Sequence, residues 1–131
     1  MTRARPSRDR SAELAGFDRA WLEGVGYAWP GSPGGEAISI GDAELLAELI
    51  QALGDPTRLR ILSLIAAKDP MPLTVSHLVE TLGFSQSTVS HHVKLLADAG
   101  YLTMERHGNW RMYRARPQTL AQLGELLAPR S

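Results

Sequence analysis

The stretch SQSTVSHHVKLLADAGYL, Ser85 to Leu102, decides how the rest of this 131-residue chain is read. Val89, Val93 and Leu96 recur at helical spacing, so one side of the segment is apolar. The other side carries Gln86, Ser87, Ser90, His91 and Lys94, with Ser85 and Thr88 at its start. A solvated helix face is ordinarily filled with Glu, Lys, Arg and Ala, because Ser and Thr lower helix propensity. A slim face that donates and accepts hydrogen bonds, and that lacks carboxylates, suits base edges better than it suits water.

Working outward, Thr74 caps a short helix with Val75, Leu78, Val79 and Leu82, and Gly83 stops it. Only Gly83 and Phe84 separate it from Ser85, which is the spacing of a helix-turn-helix. Further upstream, Asp55-Pro56 starts a helix with Leu59, Ile61, Leu62, Leu64 and Ile65, which KDPMP breaks. Asp42 is the expected cap of the helix before it, which carries Leu45, Leu46, Leu49, Ile50 and Leu53 and ends at Gly54. Downstream the period changes to two. Leu102 and Met104 alternate with Thr103 and Glu105, His107-Gly108-Asn109 turns, and Trp110, Met112 and Tyr113 return. After Pro117 a last helix carries Leu120, Leu123, Leu126 and Leu127.

The order ααααββα predicts a mainly α winged helix-turn-helix with a small β-hairpin wing. Gln86, Ser87, Ser90 and His91 are the expected base readers, with Ser85 and Thr88 as further DNA-binding residues of the helix and Lys94 on phosphate. In the wing, Arg106, Arg111 and Arg114 suit phosphate contact, with Asn109 beside them; His107 is either a phosphate contact or solvated. Leu45, Leu46, Leu49, Leu120, Leu123 and Leu127 look like more apolar surface than so thin a monomer can bury. They predict a homodimer seam.

Composition narrows the function. There is no cysteine, which removes disulfides, thiolate metal sites and cysteine nucleophiles. No Gly-x-Ser-x-Gly elbow accompanies the serines, so an enzyme is not expected. No run approaches 18 apolar residues, and MTRARPSRDRSAEL lacks the apolar centre of a signal peptide. A soluble, cytoplasmic protein with no membrane partner is the expectation. Formal net charge is zero, yet residues 83–116 hold five basic residues against two acids. Residues 1–10 hold four Arg against one Asp.

Residues 1–40 read as an N-terminal extension, partly disordered and basic at its start, with residues 41–131 as the domain. Trp21, Tyr27 and Trp29 suit docking of that extension, and its arginines are either a solvated tail or a minor-groove arm. Among the histidines, His77 reads as a surface or packing residue and His92 as packing, with His91 on DNA. Arg58 and Arg60 read as solvated or paired with nearby acids.

ALGDPTRLRIL, the segment LTVSHLVETLGFSQSTVSHHVKLLADAG and the wing ending in RMY together resemble the ArsR/SmtB winged-helix repressors of bacteria. The likeness covers residues 41–127. It implies a homodimer built from the first and last helices, and a transcriptional repressor released from double-stranded operator DNA by a signal. Many members of that family hold thiophilic metals with a Cys pair in the helix before the recognition helix; here Thr74 and Ser76 stand there. Others place His and carboxylate ligands on the last helix, whereas PQTLAQLGELLAPRS offers only Glu125. No metal site and no cofactor are therefore expected, and the signal is a non-thiol one of unknown identity. The alternative is a winged-helix module that contacts a partner protein in place of a small-molecule inducer.

Overall fold

The computed structural model describes residues 37–127. The expectations for the N-terminal extension fall almost wholly outside those residues. Five helices and one hairpin follow in the order α1 (Ile40–Leu53), α2 (Pro56–Ala67), α3 (Val75–Leu82), α4 (Gln86–Asp98), β1 (Leu102–His107), β2 (Trp110–Ala115) and α5 (Pro117–Leu127). This is the winged helix-turn-helix order read from the sequence.

Local chemistry explains most boundaries. Asp55 accepts from the Arg58 N–H and Pro56 takes the first helical position, as predicted. The start of α1 differs: Ser39, not Asp42, is the cap, and its Oγ accepts from the Asp42 N–H at 3.2 Å. Asp42 lies in the first turn and accepts from Ser39 Oγ in return. Thr74 and His77 close a reciprocal capping box on α3, with the His77 ring nitrogen in the place usually taken by Glu. His77 is thus a helix-start residue.

Glycine is needed at two bends. Gly83, at φ 76°, turns the chain from α3 toward α4, and Gly100, at φ 87°, ends α4. Gly100 N–H donates to Ala97 O and Tyr101 N–H to Leu96 O, the paired bonds of a Schellman stop. A side chain at Gly83 would meet nothing within 4 Å, so Gly83→Ala costs backbone energy alone, about 1–2 kcal/mol. Gly54 sits at φ −80°, and an added Cβ makes only ordinary contacts with Ile50 O and Gln51 O at 3.5 and 3.6 Å. Gly54→Ala should therefore be neutral or stabilise by up to about 1 kcal/mol. Thermal melts of the two variants check the contrast.

One core joins every helix: Leu45, Leu46 and Leu49 of α1, Ile61, Leu62 and Ile65 of α2, Leu78 of α3, Val89, Val93 and Leu96 of α4, and Leu123 and Leu126 of α5. Tyr101 lies at its centre, fully buried, with its hydroxyl donating to Leu49 O at 2.8 Å. Burial pushes that phenol's pKa far above its usual value, so it is a permanent donor. Thr119 Oγ1 donates to Gly100 O and ties α5 to the end of α4.

This packing corrects the expected dimer seam. Leu45, Leu46, Leu49 and Leu123 are buried within one chain, at 7% exposure or less. Leu120 and Leu127 stay exposed. The premise that a monomer is too thin fails because α1 is apolar on two sides. One side is covered by its own chain. The other presents Ile40, Ala47 and Ile50 to solvent, with Ala43 between them.

Candidate nucleic-acid interface

The recognition helix is anchored by its apolar stripe: Val89, Val93 and Leu96 have 1% exposure or less. At 100° per residue that fixes the opposite side outward. Gln86, Ser87 and His91 are exposed and Ser90 is half-exposed. Ser85 and Thr88 are exposed too, yet their oxygens are committed to the helix start: Ser85 Oγ accepts from Thr88 N–H and donates to Thr88 Oγ1 at 2.9 Å. They shape the helix tip more than they offer free groups. No acid occupies the first turn of α4, so its positive dipole end is left uncompensated.

Gln86, Ser90 and Lys94, spaced four apart, line one groove with Asn109, Trp110 and Arg111 of the hairpin. The groove encloses about 560 Å³, and Ser76 of α3 is also part of its lining. Recognition helix and wing therefore present their polar groups to a shared space. Lys94 Nζ pairs with Asp98 at 3.1 Å, but an exposed i,i+4 pair is worth only about 0.3–0.5 kcal/mol and exchanges readily for a phosphate.

The hairpin pairs Arg106 with Arg111 and His107 with Trp110 across the ladder, with Gly108-Asn109 as the two-residue turn. Two guanidinium groups directly opposite one another destabilise a sheet unless an anion sits between them. Both arginines are exposed, and neither makes an ion pair among the described residues. Among the described residues this is the clearest anion-seeking feature.

Arg114 departs from expectation. Its Nε donates to Glu105 Oε1 at 2.7 Å and its Nη1 to Pro70 O, so it clamps the wing to the α2–α3 loop. His107 Nε2 lies 3.0 Å from the other Glu105 oxygen. These two bonds, His107 first, hold the Glu105 carboxyl below its usual range. Leu73 adds two backbone bonds to Tyr113, a further anchor for the wing.

Arg114→Ala should therefore loosen the wing, raising amide exchange in β1 and β2, and leave the salt dependence of DNA binding unchanged. Arg106→Ala should do the reverse. A lowered folded-state pKa means the Glu105 contribution is complete above the ordinary glutamate range and is lost as pH falls through the lowered value. Wing protection should accordingly hold at neutral pH and fall only in acid, which exchange measured over a pH series would show.

Sequence reasoning missed Ser76, Met104 and Trp110 as groove residues. An exposed Trp at a hairpin tip, at 61% exposure, was the available signal. Among the described residues no three His, Asp or Glu side chains converge as a metal-binding group. None of the helices described is long and apolar enough to cross a membrane.

Residues 55–103 match the family model described as bacterial regulatory protein, arsR family. An arsenical resistance operon repressor of Staphylococcus xylosus is 35% identical over 82 residues, which is 63% of this chain and 76% of that protein. Among solved structures, an ArsR-like transcriptional regulator from Rhodococcus superposes with a TM-score of 0.58 at 26% identity, covering 66% of this chain and 78% of its own. The homodimeric winged helix-turn-helix DNA-binding domain of a Mycobacterium bovis protein shares the fold, with a TM-score of 0.56 at 22% identity over 69% of this chain and 84% of its own.

Proposed function

This chain belongs to the ArsR family of DNA-binding transcriptional regulators, and from that premise we propose that it is a homodimeric repressor reading an operator with α4. The observation that carries the reading is the groove in which Gln86, Ser90 and Lys94 face Arg111, with the Arg106–Arg111 pair beside it. Gln86 is a two-point reader of adenine, Ser87, Ser90 and His91 are permissive readers, and Lys94, Arg106 and Arg111 neutralise phosphates.

The dimer seam is the second apolar side of α1, Ile40, Ala43, Ala47 and Ile50, with Leu120 and Leu127 of α5. The 3-4-3 spacing on α1, with small residues inside and isoleucines outside, suits close helix packing. A regulator of this kind works in the cytoplasm, with its DNA.

The signal is of another chemistry than that of thiophilic metals. Soft ions need thiolates, and the chain has none. Thr74, at one of the two positions in question, is buried and its hydroxyl is taken up in capping α3. DNA selected from a random pool should be an inverted repeat, its half-sites about 34–36 Å apart. Arsenite or cadmium at low micromolar concentration should leave that complex intact in a gel shift. Selection of no sequence would favour the protein-contact alternative.

A further inference from the structure

Arg58 makes a set of bonds that DNA contact does not call for. Its Nε donates to Ala52 O at 2.8 Å and its Nη2 to Gln51 O at 3.1 Å, so it closes the C-terminal end of α1. Its Nη1 lies 3.1 Å from His92 Nδ1, halfway along α4. A guanidinium has no acceptor, so Nδ1 must accept; His92 is neutral, with its proton on Nε2. Neither residue was expected to pair with the other, 34 positions apart.

From this geometry we infer that Arg58 is a positioning residue for the recognition helix, and that operator reading depends on His92 remaining unprotonated. The inference rests on α4 being the DNA reader. Two ties hold α4 to the last turns of α1: Tyr101 to Leu49 O at its far end, and Arg58 through His92 at its middle. Gln86 and Ser90 lie beyond the middle tie, on the side away from Tyr101. Without Arg58 the helix keeps the apolar anchor of Val89, Val93 and Leu96 but loses the polar tie that fixes its rotation and register on that face. A hydrogen bond to a base edge fails with a displacement of about 1 Å. The planar fork fixes all three acceptors at once, which a flexible ammonium cannot do.

Protonating Nδ1 removes the acceptor and sets a second cation against the guanidinium. The other charged groups around His92 are few. Asp55, at the start of α2, has its carboxyl pKa lowered chiefly by the Arg58 backbone N–H, with a smaller contribution from the Arg58 guanidinium charge. His91 is the neighbouring ring, with centroids 5.9 Å apart. On α1 the facing groups are the carbonyls of Gln51 and Ala52, with Glu48 one turn behind Ala52. Asp55 accepts from the Arg58 backbone N–H through Oδ2 and makes no bond to the Arg58 guanidinium.

The test is selectivity, the ratio of operator to scrambled-DNA affinity, measured by anisotropy from about pH 8 to about pH 5.5. Taking the ratio cancels the general gain in DNA affinity as histidines charge, and every protein compared, the wild-type background included, carries His91→Gln so that the ring on the reading face does not titrate. Wild type should lose selectivity about tenfold on acidification, the scale of one base contact. His92→Asn keeps an acceptor near Nδ1 and does not titrate, so its selectivity should stay flat. Arg58→Ala should be poorly selective at both ends with unchanged affinity for scrambled DNA, and Arg58→Lys should recover only part. Circular dichroism shows which variants fold; should Arg58→Ala unfold, the pH profiles of wild type and His92→Asn still decide. A flat wild-type profile, a parallel fall in His92→Asn, or full selectivity in folded Arg58→Ala overturns the inference. Wild type that is unselective even at about pH 8 overturns the assignment of α4 itself, and this inference with it.

Discussion

Glutamate at Ile50 and Leu120 together should give a folded monomer that no longer holds operator DNA. Both side chains are 42% exposed in the single chain, so the substitutions leave its core intact. In a dimer each occurs twice, and four apolar side chains return to water as charges. At about 1.5–3 kcal/mol for a whole side chain, the 42% of each still open contributes about 2.5–5 kcal/mol over the four, so association weakens on the order of 10²- to 10³-fold before any cost of burying charge. Leu123→Glu acts differently. Leu123 is 7% exposed and belongs to the core, so a carboxylate there costs several kcal/mol of a total stability of about 5–15 kcal/mol. That variant should unfold. Sedimentation and circular dichroism on both proteins separate the outcomes, and a stably dimeric Ile50→Glu/Leu120→Glu protein would move the seam elsewhere.

The contrast shows what the sequence could and could not carry. Periodicity placed all five helices and the hairpin, because caps and glycine stops act within four residues of their own position. It also turned Val89, Val93 and Leu96 inward correctly, since a helix with one apolar stripe has one way to bury it. α1 has two such stripes. Nothing local says which of them the chain covers itself, and Leu45, Leu46, Leu49 and Leu123, assigned to the dimer, proved to be core. Arg58 and Arg114 take partners the sequence did not show, for a similar reason. Arg58, Arg106, Arg111 and Arg114 are alike in sequence, and their partners are set by tertiary distance. Arg114 finds Pro70, 44 residues away, and Arg58 finds His92, whereas Arg106 and Arg111 face each other across the wing.

The recognition face carries the other large effect. Gln86→Ala with Ser90→Ala removes two readers from each half-site, at about 1–3 kcal/mol for a good base contact. Even at the low end, four contacts amount to about 4 kcal/mol and operator affinity should fall by about three orders of magnitude, while scrambled DNA loses nothing because its binding is carried by phosphates. Arg111→Ala should weaken both DNAs alike and flatten the salt dependence by about one per protomer. These signatures differ in kind, so a general loss of folding cannot imitate the pair of them.

The most direct measurement is therefore binding of wild type, Gln86→Ala/Ser90→Ala and Arg111→Ala to operator and scrambled DNA over a salt series. If α4 reads bases and the wing holds phosphate, the double variant loses operator selectivity at unchanged salt slope, and Arg111→Ala loses slope at unchanged selectivity. If the double variant binds operator with wild-type affinity and selectivity at every salt concentration, α4 is not the reader and the DNA-reading account is contradicted.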